Sequence, residues 1–225
     1  MAKFFISLLA GLCSLFCPAL QACATSVPMI CPSVREELII RNSILKLWGM
    51  NWTESRVLDA EELSRMTMLF LDITYKDTLA EDRTLFPQRF EGKPSLYTFY
   101  FPKAVVEKAA YNIFGGHLDA ARLADGIFQD TDGYFVDRSL LYAQTGSVLR
   151  DMERHDEPRF LAVTGVQGGG HIFSFEGTLC SFPHDAGDGS LQQATSTASF
   201  VVSLSRSTMG GWKIESLKIT EGTVH

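Results

Sequence analysis

The sequence predicts an α+β fold, with N-terminal helices packed on a four-stranded antiparallel sheet formed by the C-terminal part of the chain. Two observations carry that prediction. In the first two-thirds of the 225 residues, apolar side chains recur at helical spacing behind capping signals, as in Ser33-x-x-Glu36 and Asp59-x-x-Glu62. In the last third the period drops to two, and glycine-rich turns separate the apolar runs. Helices first and strands last describe a layer of helices against the apolar face of a sheet. The 46% hydrophobic content and 16 Phe exclude a disordered chain. A formal net charge of -6 argues against a nucleic-acid binder, which presents a basic surface to phosphate.

Residues 1–24 are an export or anchoring segment. Lys3 is followed by no charge until Arg35, and Phe4 to Phe16 is largely apolar before Pro18. Three processing routes stay open. Ala22-x-Ala24 fits cleavage after Ala24; Ala19-Leu20-Gln21-Ala22-Cys23 has the form of a bacterial lipobox, with Cys23 as the lipidated first residue; and the uncharged stretch is long enough for a retained anchor. All three place the remaining domain in the bacterial periplasm, free or tethered to the membrane through Cys23 lipid or an uncleaved N-terminal helix. Loss of the segment removes Lys3, taking the net charge from -6 to -7. Cys13 and Cys17 leave with it, so Cys31 and Cys180 remain as either a disulfide or two separate thiols.

Residues 25–127 read as mainly helical with a mid-chain loop. Val34, Leu38, Leu45 and Trp48 share a first helical face, and Leu63, Met66, Phe70 and Leu71 a second. Residues 76–99 are rich in charge and turn formers, predicting a loop with a short strand at Leu96–Phe101. Pro102 opens a helix with an apolar face from Val105 to Phe114, closed by Gly115-Gly116. Residues 128–225 complete the same globular domain. A helix is expected over Val136–Arg154, then strands over Arg159–Val166, His171–Phe182, Ala194–Ser205 and Trp212–Ile219. Their order predicts an antiparallel meander.

Chemistry-bearing patterns are sparse. Asp130-Thr131-Asp132-Gly133 matches part of a calcium loop, but Phe128 and Ser139 would fall at the first and last ligand positions, so the sequence reads as a turn. Gln167-Gly168-Gly169-Gly170 joins strand to strand, whereas a phosphate cradle needs a following helix N-terminus. His117, His155 and His171 stand alone, and carboxylate pairs such as Glu61/Glu62 fall on expected helix ends. These patterns predict a non-enzymatic chain without metal or cofactor. Among the clustered aromatics, Tyr97 and Tyr100 are the expected exposed contacts with a partner.

Gly211-Trp212-Lys213-Ile214 with Leu217 and Ile219 resembles the last strand of nuclear-transport-factor-2-like domains, a cone of helices on a curved antiparallel sheet. Over residues 128–220, Gly133-Tyr134 through Leu141, Thr145 to Leu149, Phe160 to Val163, Ile172 to Leu179 and Thr195 to Ser205 follow the order of the periplasmic domain of the DotI/IcmL/TraM family of type IVB secretion and conjugation systems. Tyr134 stands where that family has Trp. The resemblance implies a non-enzymatic periplasmic subunit that self-associates and docks other secretion or conjugation envelope subunits. The alternative is a periplasmic ligand-binding or hydrolytic protein that uses the cone as a pocket, with His171, Glu176 and Thr197 converging towards the helices. An enclosed cavity holding ionisable groups favours the pocket; an exposed apolar patch favours docking.

Overall fold

The computed structural model describes residues 31–81, 98–145, 159–181 and 195–222. Helix α1 spans Val34–Gly49 and opens on the expected capping box. The Ser33 N–H donates to Glu36 at 2.8 Å, and the Glu36 N–H donates to Ser33 Oγ at 3.3 Å. Ile40, Ile44 and Leu47 form its buried stripe. The chain leaves through Asn51, at a left-handed φ of 57°, and the Trp52 N–H returns to the Leu47 carbonyl at 2.8 Å.

Helix α2, Ala60–Glu81, starts where Asp59 Oδ1 accepts the Glu62 N–H at 2.8 Å. It runs beyond residue 76, where the charge-rich sequence had predicted a loop. Charged residues are compatible with a helix, and no Pro or Gly interrupts the chain before Glu81. Strand β1 is Thr98–Pro102 and leads directly into α3, Lys103–Phe114, which stops at Gly115 with φ 72°.

A second departure follows. Residues 136 and 137, expected in a helix, belong to strand β3, Gly133–Asp137, which pairs antiparallel with β1 on one side and with β2, Ile127–Gln129, on the other. Tyr134, Phe135 and Val136 are all buried there. Aromatic and β-branched residues suit a strand covered on both faces, and so short an apolar run carries no decisive period. Asp130 Oδ1 accepts the Asp132 and Gly133 N–H groups, both at 2.8 Å, so the Asp/Gly cluster is the β2–β3 turn. The expected helix is confined to α4, Arg138–Thr145, among the described residues.

Strands β4 (Arg159–Gly169), β5 (Ile172–Ser181), β6 (Thr195–Arg206) and β7 (Trp212–Glu221) form the expected antiparallel sheet in sequence order. The fold is therefore α+β with a four-stranded sheet, and it adds a three-stranded sheet of order β1-β3-β2. The larger core joins Ile44 and Leu47 of α1 and Leu69 and Phe70 of α2 to Phe175, Phe200, Val202 and Leu217 of the sheet. A smaller core gathers Met68, Phe101, Val106, Tyr134 and Leu141, with Leu118 and Tyr142 packed against both. Gly177 is needed in β5 because a Cβ there would overlap the Ala162 carbonyl of β4. Among the described residues, no helix is long and apolar enough to cross a membrane.

Candidate functional site

A groove of about 640 Å³ lies between α1, α2, α3 and β7. Its walls come from Ile39 and Ile40 of α1, Phe70 of α2, Val105 and Ile113 of α3, and Trp212 and Ile214 of β7. Ile39 is 58% exposed; Val34 and Leu38 are exposed too, but stand more than a quarter-turn further round α1 and outside the groove. Glu36, Lys46 and Lys108 add charge to the lining.

Local sequence chemistry fixes this arrangement. Asn112 of α3 is buried; it donates to the Gly210 carbonyl at 3.0 Å and accepts from the Ser207 hydroxyl. Those bonds hold the β6–β7 turn against α3 and set Trp212 into the wall. Arg206 lies over the Trp212 ring at 4.4 Å and donates to Glu36 at 2.6 Å. The Glu36 carboxyl is lowered to about 2, first by the Ser33 backbone N–H, then by Arg206 and the Ser33 hydroxyl. The Trp212 indole Nε1 is buried without a hydrogen bond of normal geometry, and its proximity to Glu36 makes the smallest contribution to the shift. Lys108 is exposed and forms no ion pair with the described residues. The result is an apolar trough with an available cation on its rim, suited to an apolar segment or chain that ends or branches in an anion.

A second polar assembly lies nearby but is closed. Asp72 of α2 accepts from Arg138 Nε at 2.9 Å, from a terminal nitrogen of the same guanidinium, and from the Tyr142 hydroxyl. Arg138 also lies over the Phe99 ring at 3.8 Å. Burial, and then the Asp72 carboxylate, push the Tyr142 phenol far above its ordinary range. With the Asp72 side chain 3% exposed, this cluster joins α2 to α4 rather than meeting a ligand.

The residues singled out from sequence do not converge. Cys23 and Tyr97 lie outside the described residues. Cys31 is exposed, whereas Cys180 is buried in β5 with its thiol 3.5 Å from Thr178 Oγ1, and the two are not bonded to one another in this structure. Tyr100 is half-buried, with its ring against Phe135 at 5.0 Å, and packs within the small sheet instead of standing exposed. His171 occupies the exposed β4–β5 turn. Glu176 alternates with the core residues Phe175 and Gly177, which turns it to the face away from the helices. Thr197 donates to the Leu179 carbonyl at 3.1 Å. The expected His171, Glu176 and Thr197 pocket is therefore not assembled. One signal for the groove was present: α1 carries more apolar residues than its buried stripe uses, and one of the surplus, Ile39, stands in the groove wall.

No protein-family model matches the chain, and no curated protein or solved structure matches it either.

Proposed function

We propose that the chain is an exported, non-enzymatic assembly subunit of a bacterial envelope machine of the type IVB secretion and conjugation kind, with a nuclear-transport-factor-2-like cone as its scaffold. Its docking surface is the groove between α1, α2, α3 and β7. The occupant is an apolar helical segment of another machine subunit, bearing a carboxylate that meets Lys108. The observation that carries this reading is the exposed Ile39 in the wall of the apolar groove beside an available cation. Apolar grooves of this kind mark partner surfaces, and a rim charge sets register and encounter rate. The charge-free segment before Arg35 supports a periplasmic position, free or tethered at Cys23.

Affinity isolation of the full chain from detergent-solubilised envelope tests the proposal. Wild-type protein should recover secretion or conjugation subunits, and Ile39→Asp should lose them while keeping its circular dichroism. Equal recovery by both proteins, or recovery of no such subunit, overturns it. Mass spectrometry of the same sample reads the N-terminus: an acylated Cys23 supports the tether, and an unmodified chain beginning at Thr25 removes it.

A second reading has one observation in its favour. A volume of about 640 Å³ falls within the range of small-molecule pockets, so a periplasmic protein binding an amphiphile or hydrolysing one would use the same groove. Saturable binding of a fluorescent long-chain carboxylate, weakened by Lys108→Gln, would replace the docking proposal with this one.

A further inference from the structure

Two aliphatic residues of α1 belong neither to the core nor to the groove. Val34 is 66% exposed and Leu38 58%. Four residues apart, they are neighbours on the helix surface. With about 100° between successive residues, Val34, Arg35, Leu38 and Asn42 all fall on the half of α1 turned away from Ile40, Ile44 and Leu47. Arg35 and Asn42 are exposed there. The two acids of the helix, Glu36 and Glu37, lie on the other half, and each is engaged, Glu36 by Arg206 and Glu37 by Arg41. The outward face of α1 is therefore aliphatic, with a cation beside it and no acid, in a chain whose net charge is -6.

The position of this face in the chain points to what meets it. Val34 closes the charge-free stretch that runs from Lys3 to Arg35, and Cys23 stands only ten residues before Ser33. Ten residues reach at most about 35 Å even when fully extended. A chain held in the bilayer at Cys23, or by the apolar run before it, keeps the first turns of α1 within reach of the headgroups. Exposed aliphatics next to an arginine suit that boundary: the aliphatic side chains enter the acyl margin while the guanidinium meets lipid phosphate. An acid on this face would oppose an anionic leaflet, and α1 carries none there.

We propose that the outward face of α1, with Val34 and Leu38 at its centre and Arg35 beside them, lies on the membrane surface, with anionic phospholipid as its partner. This contact rests on the export or anchoring reading of residues 1–24 and adds to it a seat for the folded domain. Ile39 is one residue on from Leu38, about 100° round the helix. In this pose the groove opens sideways along the bilayer, towards neighbouring envelope subunits. The buried stripe of α1 packs on the apolar face of the sheet, so the opposite sheet face, with the exposed Val201, turns away from the lipid.

The full chain in vesicles of phosphatidylethanolamine and phosphatidylglycerol tests this. A photo-crosslinking residue at position 38 should give a lipid adduct, read by mass spectrometry, and one at position 201, 48% exposed on the far side of the sheet, should give none. With the crosslinking residue at position 34, Leu38→Asp should cut the lipid adduct about fivefold, and Arg35→Glu should cut it similarly, since each sets a carboxylate against the headgroups. Both side chains are exposed, so the circular dichroism of the variants should not change. No adduct from position 38, or equal adducts from positions 38 and 201, overturns the proposal. So does a yield at position 34 that ignores Leu38→Asp, which would mean that the tether alone brings α1 near the lipid. A full chain that fails to float with the vesicles overturns the membrane-held reading as well. No second protein is present, so the docking proposal does not stand or fall with this result.

Discussion

Removing the Asp72 carboxylate is expected to be among the most damaging single changes in the molecule, although Asp72 touches no proposed partner. Its side chain is 3% exposed and accepts from both Arg138 and Tyr142. Asp72→Ala strands a guanidinium that is only 26% exposed and leaves the Tyr142 hydroxyl without its acceptor. Breaking a buried ion pair on one side costs about 3–5 kcal/mol. The partial exposure of Arg138 lets water recover some of its charge, which places the expected loss near the lower end, about 3 kcal/mol. Such a change corresponds to a more than hundredfold shift in the folding equilibrium. Urea unfolding followed by Trp fluorescence reads it directly, and an unchanged m-value shows that the native state remains compact. The paired change Asp72→Leu with Arg138→Met should recover most of the loss, because apolar replacement of a whole buried pair is often neutral. A loss below about 1 kcal/mol for Asp72→Ala would refute the reasoning, since that is the range of a surface ion pair.

The same cluster predicts an alkaline limit. The raised folded-state value of Tyr142 means that its stabilising contribution is complete below the unfolded phenol value of about 10 and is lost as pH rises above it. Tyr142→Phe should flatten that alkaline decline in unfolding free energy. Glu36 runs the other way: with its folded value held at about 2, its contribution is complete above the unfolded carboxylate value of about 4.3 and fades as pH falls towards 2. A carbon-13 titration of the Glu36 carboxyl should show Arg206→Gln moving it upward but not back to the ordinary value, because the Ser33 N–H remains. In β5, Gly177→Ala should destabilise by about 2 kcal/mol or more, measured by thermal unfolding, since the new Cβ meets backbone that has little room to yield.

What the sequence could disclose follows from how far apart the interacting residues lie. The Ser33–Glu36 box, the Asp59 cap and the Gly115 stop are complete within a few residues, and each helix begins or ends where those signals stand. The alternation of Ala198, Phe200, Val202 and Leu204 likewise announces its own buried face. The Tyr134–Val136 strand did not announce itself, because what makes it a strand is Phe99–Phe101, more than thirty residues upstream. Asp72 was equally silent: one acid in an apolar helix acquires meaning only through Arg138, which sits 66 residues later. The groove runs from Ile39 to Ile214 across three helices and a strand, and its only local trace is the surplus of apolar residues on α1. His171, Glu176 and Thr197 were grouped by residue type; strand alternation and a hairpin turn separate them.

The docking account is tested most directly by placing a photo-crosslinking residue at position 39 in the full chain, in the envelope of the native host, with position 176 on the opposite sheet face as the comparison. The account predicts an adduct between position 39 and a secretion or conjugation subunit, and none from position 176. No adduct from position 39, or the same adduct from both positions, would contradict it.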